Sequence, residues 1–206
     1  MTDYFALLDE PRRPWIDPEP LKEKFLRLAS DVHPDRVHEA SAADKAEANR
    51  RYAEFNAAYQ CLRDPKERLG HLLTLELGAK PQGLERVTPE LMDTFVEINQ
   101  LGREVDRFLA ERANVQSPML KVRFFERGME WSDRLSAALR RLNEDFASLA
   151  TELKQMNAVW QSAPPDGSPE RASSLPLNRA EEIYRALSYN RRWAAQLLER
   201  VGQLVF

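Results

Sequence analysis

The densest chemistry in this 206-residue chain lies in three consecutive residues, His33, Pro34 and Asp35. The proline ring fixes the backbone between an imidazole and a carboxylate, so the turn is rigid before anything binds it, which lowers the ordering cost of recognition. Asp35 can accept a bidentate, charge-assisted bond from a guanidinium of another protein. Lys22, Lys24 and Arg27 precede the turn and Arg36 follows it, a cationic set suited to steering an acidic partner surface. A lone His-Pro-Asp is a weak signal, and its value depends on the elements around it.

Little else in the chain is equipped for catalysis. Cys61 is the single cysteine, which excludes an intrachain disulfide and any CxxC zinc site. His38 and His71 have no neighbour at metal-ligand spacing and read as bystanders. There is no Gly-rich phosphate loop, no Ser/His/Asp setting and no pair of carboxylates in a catalytic context. The chemistry on offer is recognition, and we expect neither enzyme activity, nor a metal, nor a cofactor. The net charge of −3 supplies no global basic field for nucleic acid. The chain is 43% hydrophobic and 31% charged, and no run reaches the ~18 apolar residues of a membrane span. Nothing at the start reads as a secretory signal, so a soluble, cytoplasmic protein is expected.

The elements that must position the turn are helices. Tyr4, Phe5, Leu7 and Leu8 make a short apolar pattern closed by Glu10-Pro11, and Arg12 to Ile16 reads as a connector. Asp17-Pro18 then opens a helix, with Asp17 as its N-cap, whose stripe is Leu21, Phe25, Leu28 and Val32. Pro34 ends it, and residues 36–43 form a polar loop. Ser41 with Asp44 starts a long helix striped by Tyr52, Phe55, Tyr59 and Leu62. Asp64-Pro65 starts a shorter one carrying Leu69, Leu72, Leu73 and Leu77, which stops at Gly78.

After a linker at 80–87, Thr88-Pro89-Glu90 begins a helix with apolar residues at 91, 95, 98, 105 and 109 and Gly102 in the same phase. Ser117-Pro118 begins another that runs to about 161. There Leu135, Leu139, Leu142, Phe146, Leu149, Leu153, Met156 and Trp160 keep a four–three rhythm, the pattern of a helix lying along a near-parallel neighbour. Residues 162–176 contain four prolines, one glycine and four serines, and read as a flexible loop. A last helix from Asn178 to about Leu204 has the seam Ala180, Ile183, Leu187, Asn190, Ala194, Leu197, Val201 and Leu204. Asn190 either fixes register inside that seam or points at solvent.

Leu28-Ala29-Ser30-Asp31-Val32-His33-Pro34-Asp35-Arg36, between a medium and a long helix, resembles the signature of J-domains. Phe55-Asn56-Ala57-Ala58-Tyr59-Gln60-Cys61-Leu62-Arg63-Asp64-Pro65, with Arg68, resembles the end of that family's third helix and the entry to its fourth. Tyr4-Phe5-Ala6-Leu7-Leu8 and Leu91-Met92 resemble the HscB co-chaperones of iron–sulfur cluster assembly. The resemblance implies an all-α fold: a J-domain at 1–79, built as an antiparallel helical hairpin with two short helices, a linker at 80–87 and a three-helix bundle at 88–206.

The same resemblance implies that His33, Pro34 and Asp35, with Lys22, Lys24, Arg27 and Arg36, engage a 70-kDa heat-shock-type chaperone (HscA- or DnaK-type) and stimulate its ATPase. The bundle would carry a client, the iron–sulfur scaffold protein, on Leu91, Met92, Phe95 and Tyr189. The chain departs from the family pattern at Leu26 and Asp31, where basic residues are frequent. It departs again at Val96, Asn99 and Arg103, where acidic residues are expected; Asp93 and Glu97 remain. A general J-domain protein whose helical region dimerises or binds other clients is the competing reading, kept open by the long four–three seam.

Overall fold

The computed structural model describes residues 2–32, 41–81 and 88–204. These residues are helical, with no strand among them: α1 (Tyr4–Leu7), α2 (Pro18–Asp31), α3 (Ala42–Arg63), α4 (Pro65–Leu77), α5 (Pro89–Ala113), α6 (Pro118–Ser162), α7 (Arg171–Ser174) and α8 (Leu177–Leu204). Most starts follow from capping chemistry. Asp3 Oδ1 accepts the Phe5 and Ala6 N–H groups, Asp64 Oδ1 those of Lys66 and Glu67, and the Thr88 hydroxyl that of Leu91. Asp17 occupies the N-cap position of α2 but caps no amide; its carboxylate instead accepts the Trp15 indole N–H at 3.2 Å. Gly78 ends α4 at φ 71°, the left-handed geometry that glycine adopts without steric cost.

By its contacts the chain forms two compact units, 1–82 with 150–184 and 83–149 with 185–206. In the first, α2 and α3 pack as a hairpin on α1 and α4. Phe5, Leu8, Leu21, Phe25, Phe55, Leu62, Leu69, Leu72 and Leu73 are buried, and the Phe25 and Tyr59 rings stack at 4.4 Å. On α2 the buried stripe is Leu21, Phe25 and Ala29, while Leu28 and Val32 are only half-buried. Arg68 lies deep in this core, 1% exposed. It donates to the carbonyls of Pro14 (2.8 Å) and Leu62 (2.7 Å), and its guanidinium lies over Trp15. Burial pulls its pKa down to about 10. Arg68 thereby satisfies the last turn of α3 and the 12–16 connector with one side chain.

The same unit takes in the far end of α6, α7 and the start of α8. Asn157 exchanges two 3.0 Å hydrogen bonds with the backbone of Trp15. Leu153, Met156, Trp160, Leu175, Leu177, Ala180 and Ile183 are buried. Residues 162–176, expected as a loop on composition, contain the helical turn α7. Its Arg171 is buried and bidentate to Glu76, both bonds 2.8 Å, and donates to the Pro164 carbonyl at 2.6 Å. Asp166 joins Arg171 (3.2 Å) to Arg12 (3.3 Å).

The second unit is built from α5, the first two-thirds of α6 and the rest of α8. Ile98, Leu101, Val105 and Phe108 of α5 meet Leu135, Ala138 and Leu142 of α6 and Trp193, Leu197 and Leu204 of α8. Asn190 lies inside this seam and donates to the Leu142 carbonyl at 2.6 Å, so it joins two helices and does not point at solvent. The four–three seam of α6 is therefore spent within the chain: Leu135 and Leu142 are buried in this unit, Leu153, Met156 and Trp160 in the other, and Phe146 between them is exposed.

Candidate functional site

His33, Pro34, Asp35 and Arg36 lie outside the described residues, as does His38. The helix that leads to the turn is described. Lys22 and Arg27 are exposed on α2, and neither makes an ion pair among the described residues. Leu26 stands between them, 54% exposed, one turn after Lys22. Lys24 is committed elsewhere: its Nζ lies 2.6 Å from Glu10 and 2.7 Å from the Asp9 carbonyl, which ties α2 to the chain after α1. The cationic face that α2 offers a partner thus consists of Lys22 and Arg27, with an apolar residue between them.

The second candidate surface belongs to the first turns of α5. Met92 is 46% exposed, Phe95 44% and Val96 52%, the outward side of a helix whose inward side carries Ile98, Leu101 and Val105. Phe95, in phase with the buried seam by spacing, is nevertheless 44% exposed, whereas Leu91 before it and Ile98 after it pack against the core. Leu91 is half-buried against the core and Tyr189 likewise, its ring 5.4 Å from that of Trp193. Of the four residues the sequence nominates, Met92 and Phe95 are presented, while Leu91 and Tyr189 are shared between core and surface. Val96 joins the presented pair. Its i,i+4 spacing from Met92 is the signal in the sequence that places it on the same face. Glu97 is held by Arg141, and the Asn99 amide donates to the Phe95 carbonyl at 2.8 Å.

The remaining reactive types are structural. Burial, with Glu67 and Asp64 nearby, pushes the Cys61 thiol up to about 11, so it is not a nucleophile at neutral pH. His71 accepts the Tyr4 N–H on Nε2 at 3.0 Å and stacks on the Tyr4 ring. Among the described residues no cluster of His, Cys, Asp or Glu could hold a metal ion, and no helix is long and apolar enough to cross a membrane.

Residues 3–70 match the DnaJ domain family model. The chain is 43% identical to a co-chaperone protein HscB homolog of Bordetella avium over 70 residues, 34% of this chain and 42% of that one. It is 30% identical to the HscB homolog of Bordetella pertussis over 164 residues, covering 77% of this chain and 74% of the relative. Among solved structures, chaperone HscB from Vibrio cholerae superposes with a TM-score of 0.56 at 24% identity, covering 99% of this chain and all of that one. The human co-chaperone HscB does so with a TM-score of 0.53 at 20% identity, covering 98% and 81%. At these identities the two structures speak for the fold alone.

Proposed function

Because the chain belongs to the HscB co-chaperone family, we propose that it stimulates the ATPase of a 70-kDa heat-shock-type chaperone and delivers to it the iron–sulfur scaffold protein. The observation that carries the first half is the DnaJ-domain match over residues 3–70, which spans His33-Pro34-Asp35. On this reading the chain does no bond-breaking chemistry of its own. Asp35 offers a carboxylate to a partner guanidinium, Pro34 holds it in place, and Lys22 and Arg27 steer an acidic chaperone surface onto α2. Lys24 contributes little to that field, since Glu10 neutralises it at 2.6 Å.

The second half rests on Met92, Phe95 and Val96. They are apolar, adjacent and exposed on one helix, and a flexible methionine beside an aromatic ring suits an adaptable docking patch. The long α6 seam lends the competing dimer reading little support, because Leu135, Leu142, Leu153, Met156 and Trp160 of that seam are buried within the chain.

Two measurements test this. The natural chain should accelerate steady-state ATP hydrolysis by the partner chaperone, and His33→Gln should remove that acceleration while leaving the circular dichroism melt unchanged. Equal stimulation by the variant overturns the assignment. In a pull-down with the scaffold protein, Met92→Ala with Phe95→Ala should weaken binding by about tenfold or more, the ordinary cost of losing hot-spot contacts. Tyr189→Ala should have a smaller effect, because half of that side chain's role is packing on Trp193. Binding untouched by all three changes would remove the scaffold from this surface.

A further inference from the structure

The outward line of α5 continues beyond its apolar patch. Met92, Val96, Asn99, Arg103 and Arg107 follow one another at steps of four and three, on the side of the helix away from Ile98, Leu101 and Val105. Arg103 and Arg107 are exposed and make no ion pair or hydrogen bond among the described residues. Around Arg103 the acids on both flanks are already matched. Towards α6, Glu97 is held by Arg141 and Glu104 by Arg134; towards α8, Asp106 is held by Arg200. The charge of Arg107 also acts on Glu104, which leaves Arg103 as the uncommitted cation nearest the patch. The Asn99 amide, between the apolar residues and Arg103, is turned to the Phe95 carbonyl and adds no charge. Asp93, exposed and without an ion pair among the described residues, stands at the opposite end beside Met92. The face is therefore polarised along its length, negative before the apolar residues and positive after them.

We infer that Arg103 is a specificity-determining residue of this surface, and that the client element seated on Met92, Phe95 and Val96 carries an aspartate or glutamate that pairs with it. The inference rests on reading α5 as the client surface and adds the chemistry of what that surface takes. Val96 and Arg103 are separated by about 10 Å along the helix, so the carboxylate stands about two turns from the apolar anchors. A guanidinium can hold it through two parallel N–H donors, which fixes orientation as well as charge. Asp93 acts in the same sense, because it repels that carboxylate from the N-terminal end of the patch. The client element is thereby held to one direction along α5. Arg103 sits at the rim of the apolar contact, where a charge governs encounter and salt dependence and rejects partners of the wrong sign. Two cations with an acid at the other end are too few for an anionic membrane, which is recognised by clusters of about four to eight.

Titration of the full chain with the iron–sulfur scaffold protein, at low and at high salt, tests this. The natural chain should bind with an affinity that falls as salt rises. Arg103→Gln should weaken binding about tenfold at low salt and flatten the salt dependence, and Arg103→Glu should weaken it further. Arg103→Lys should restore most of the affinity, while Arg123→Glu, a reversal of charge on α6, should leave it unchanged. All four variants should keep the natural melting temperature, since neither arginine has an ion-pair partner among the described residues. Treated with a water-soluble carbodiimide, the complex of Arg103→Lys should be joined by an amide between position 103 and an Asp or Glu of the scaffold. Scaffold binding that Arg103→Gln and Arg103→Glu leave unchanged overturns the inference while the client reading stands, and so does the absence of any join from position 103 to a scaffold carboxylate. A natural chain that does not bind the scaffold overturns the client reading and the inference with it. Capture of phosphatidylserine vesicles by the natural chain, lost in Arg103→Glu, would overturn the inference in favour of a membrane.

Discussion

His71 looks like a spare histidine in the sequence, yet in the fold it holds α1 against α4. Its Nε2 accepts the Tyr4 N–H at 3.0 Å, which requires that nitrogen to be unprotonated. Burial lowers its pKa below the ordinary 6.5, Asp3 pulls it upward, and Arg12 adds to the lowering; the net shift is downward. The unfolded chain therefore binds more protons than the folded one in the interval below 6.5. The stabilisation is complete above 6.5 and is lost as pH falls through the folded value. Asp3 acts in the same direction but in a lower window. Burial alone would raise it, and Arg12 with the amides of Ala6 and Phe5 outweighs that and holds it below 3.8. Thermal melts from about pH 7 to about pH 5 should accordingly show a falling Tm for the natural chain. His71→Gln keeps an acceptor for the Tyr4 N–H but does not titrate, so its melts should be nearly flat over that interval. An equally steep fall in the variant would show that the sensitivity lies elsewhere.

At the scale of elements, the readable features were those fixed by local rules. Asp-Pro and Thr-Pro starts, Gly78 at the end of α4, and apolar spacing along α2, α3, α5 and α8 all correspond to observed helices, because caps and periodicity act within a few residues. What the sequence leaves open is which neighbour a face meets. The rhythm of α6 marks a buried face correctly from Leu135 to Trp160 but cannot say that the face serves two cores, with Phe146 exposed between them. Arg68 and Arg171 were invisible as core residues because composition counts an arginine as surface until its carbonyl or carboxylate partners are known. The same gap runs through the candidate sites. The family resemblance nominated Met92 and Phe95, but spacing left Phe95 in phase with the buried seam, and nothing local could reveal that Lys24 is held by Glu10. Asn190 shows the reverse case: spacing put a polar residue in the seam, and the Leu142 carbonyl 2.6 Å away explains why it is tolerated there.

At the scale of the molecule, the first compact unit is discontinuous in sequence, since residues 150–184 pack with residues 1–82. The link is partly ionic and buried. Arg171 and Glu76 are 7% and 2% exposed at their side chains, and Arg171 also ties down the Pro164 carbonyl. Removing one member of such a pair leaves the other as an uncompensated buried charge, which costs about 3–5 kcal/mol. Arg171→Met should thus destabilise α4, some 95 positions away in sequence, and native-state hydrogen exchange should show faster amide exchange across Pro65–Leu77. Adding Glu76→Leu should recover much of that protection, since an apolar pair of similar volume avoids the stranded charge. If exchange in α4 is unchanged in Arg171→Met, segment 150–184 is a passenger on the J-domain helices. If it rises and the double variant restores it, the far end of α6, α7 and the start of α8 belong to one cooperative unit with α4. In that case the J-domain helices reach their full stability only with residues 150–184 packed on them.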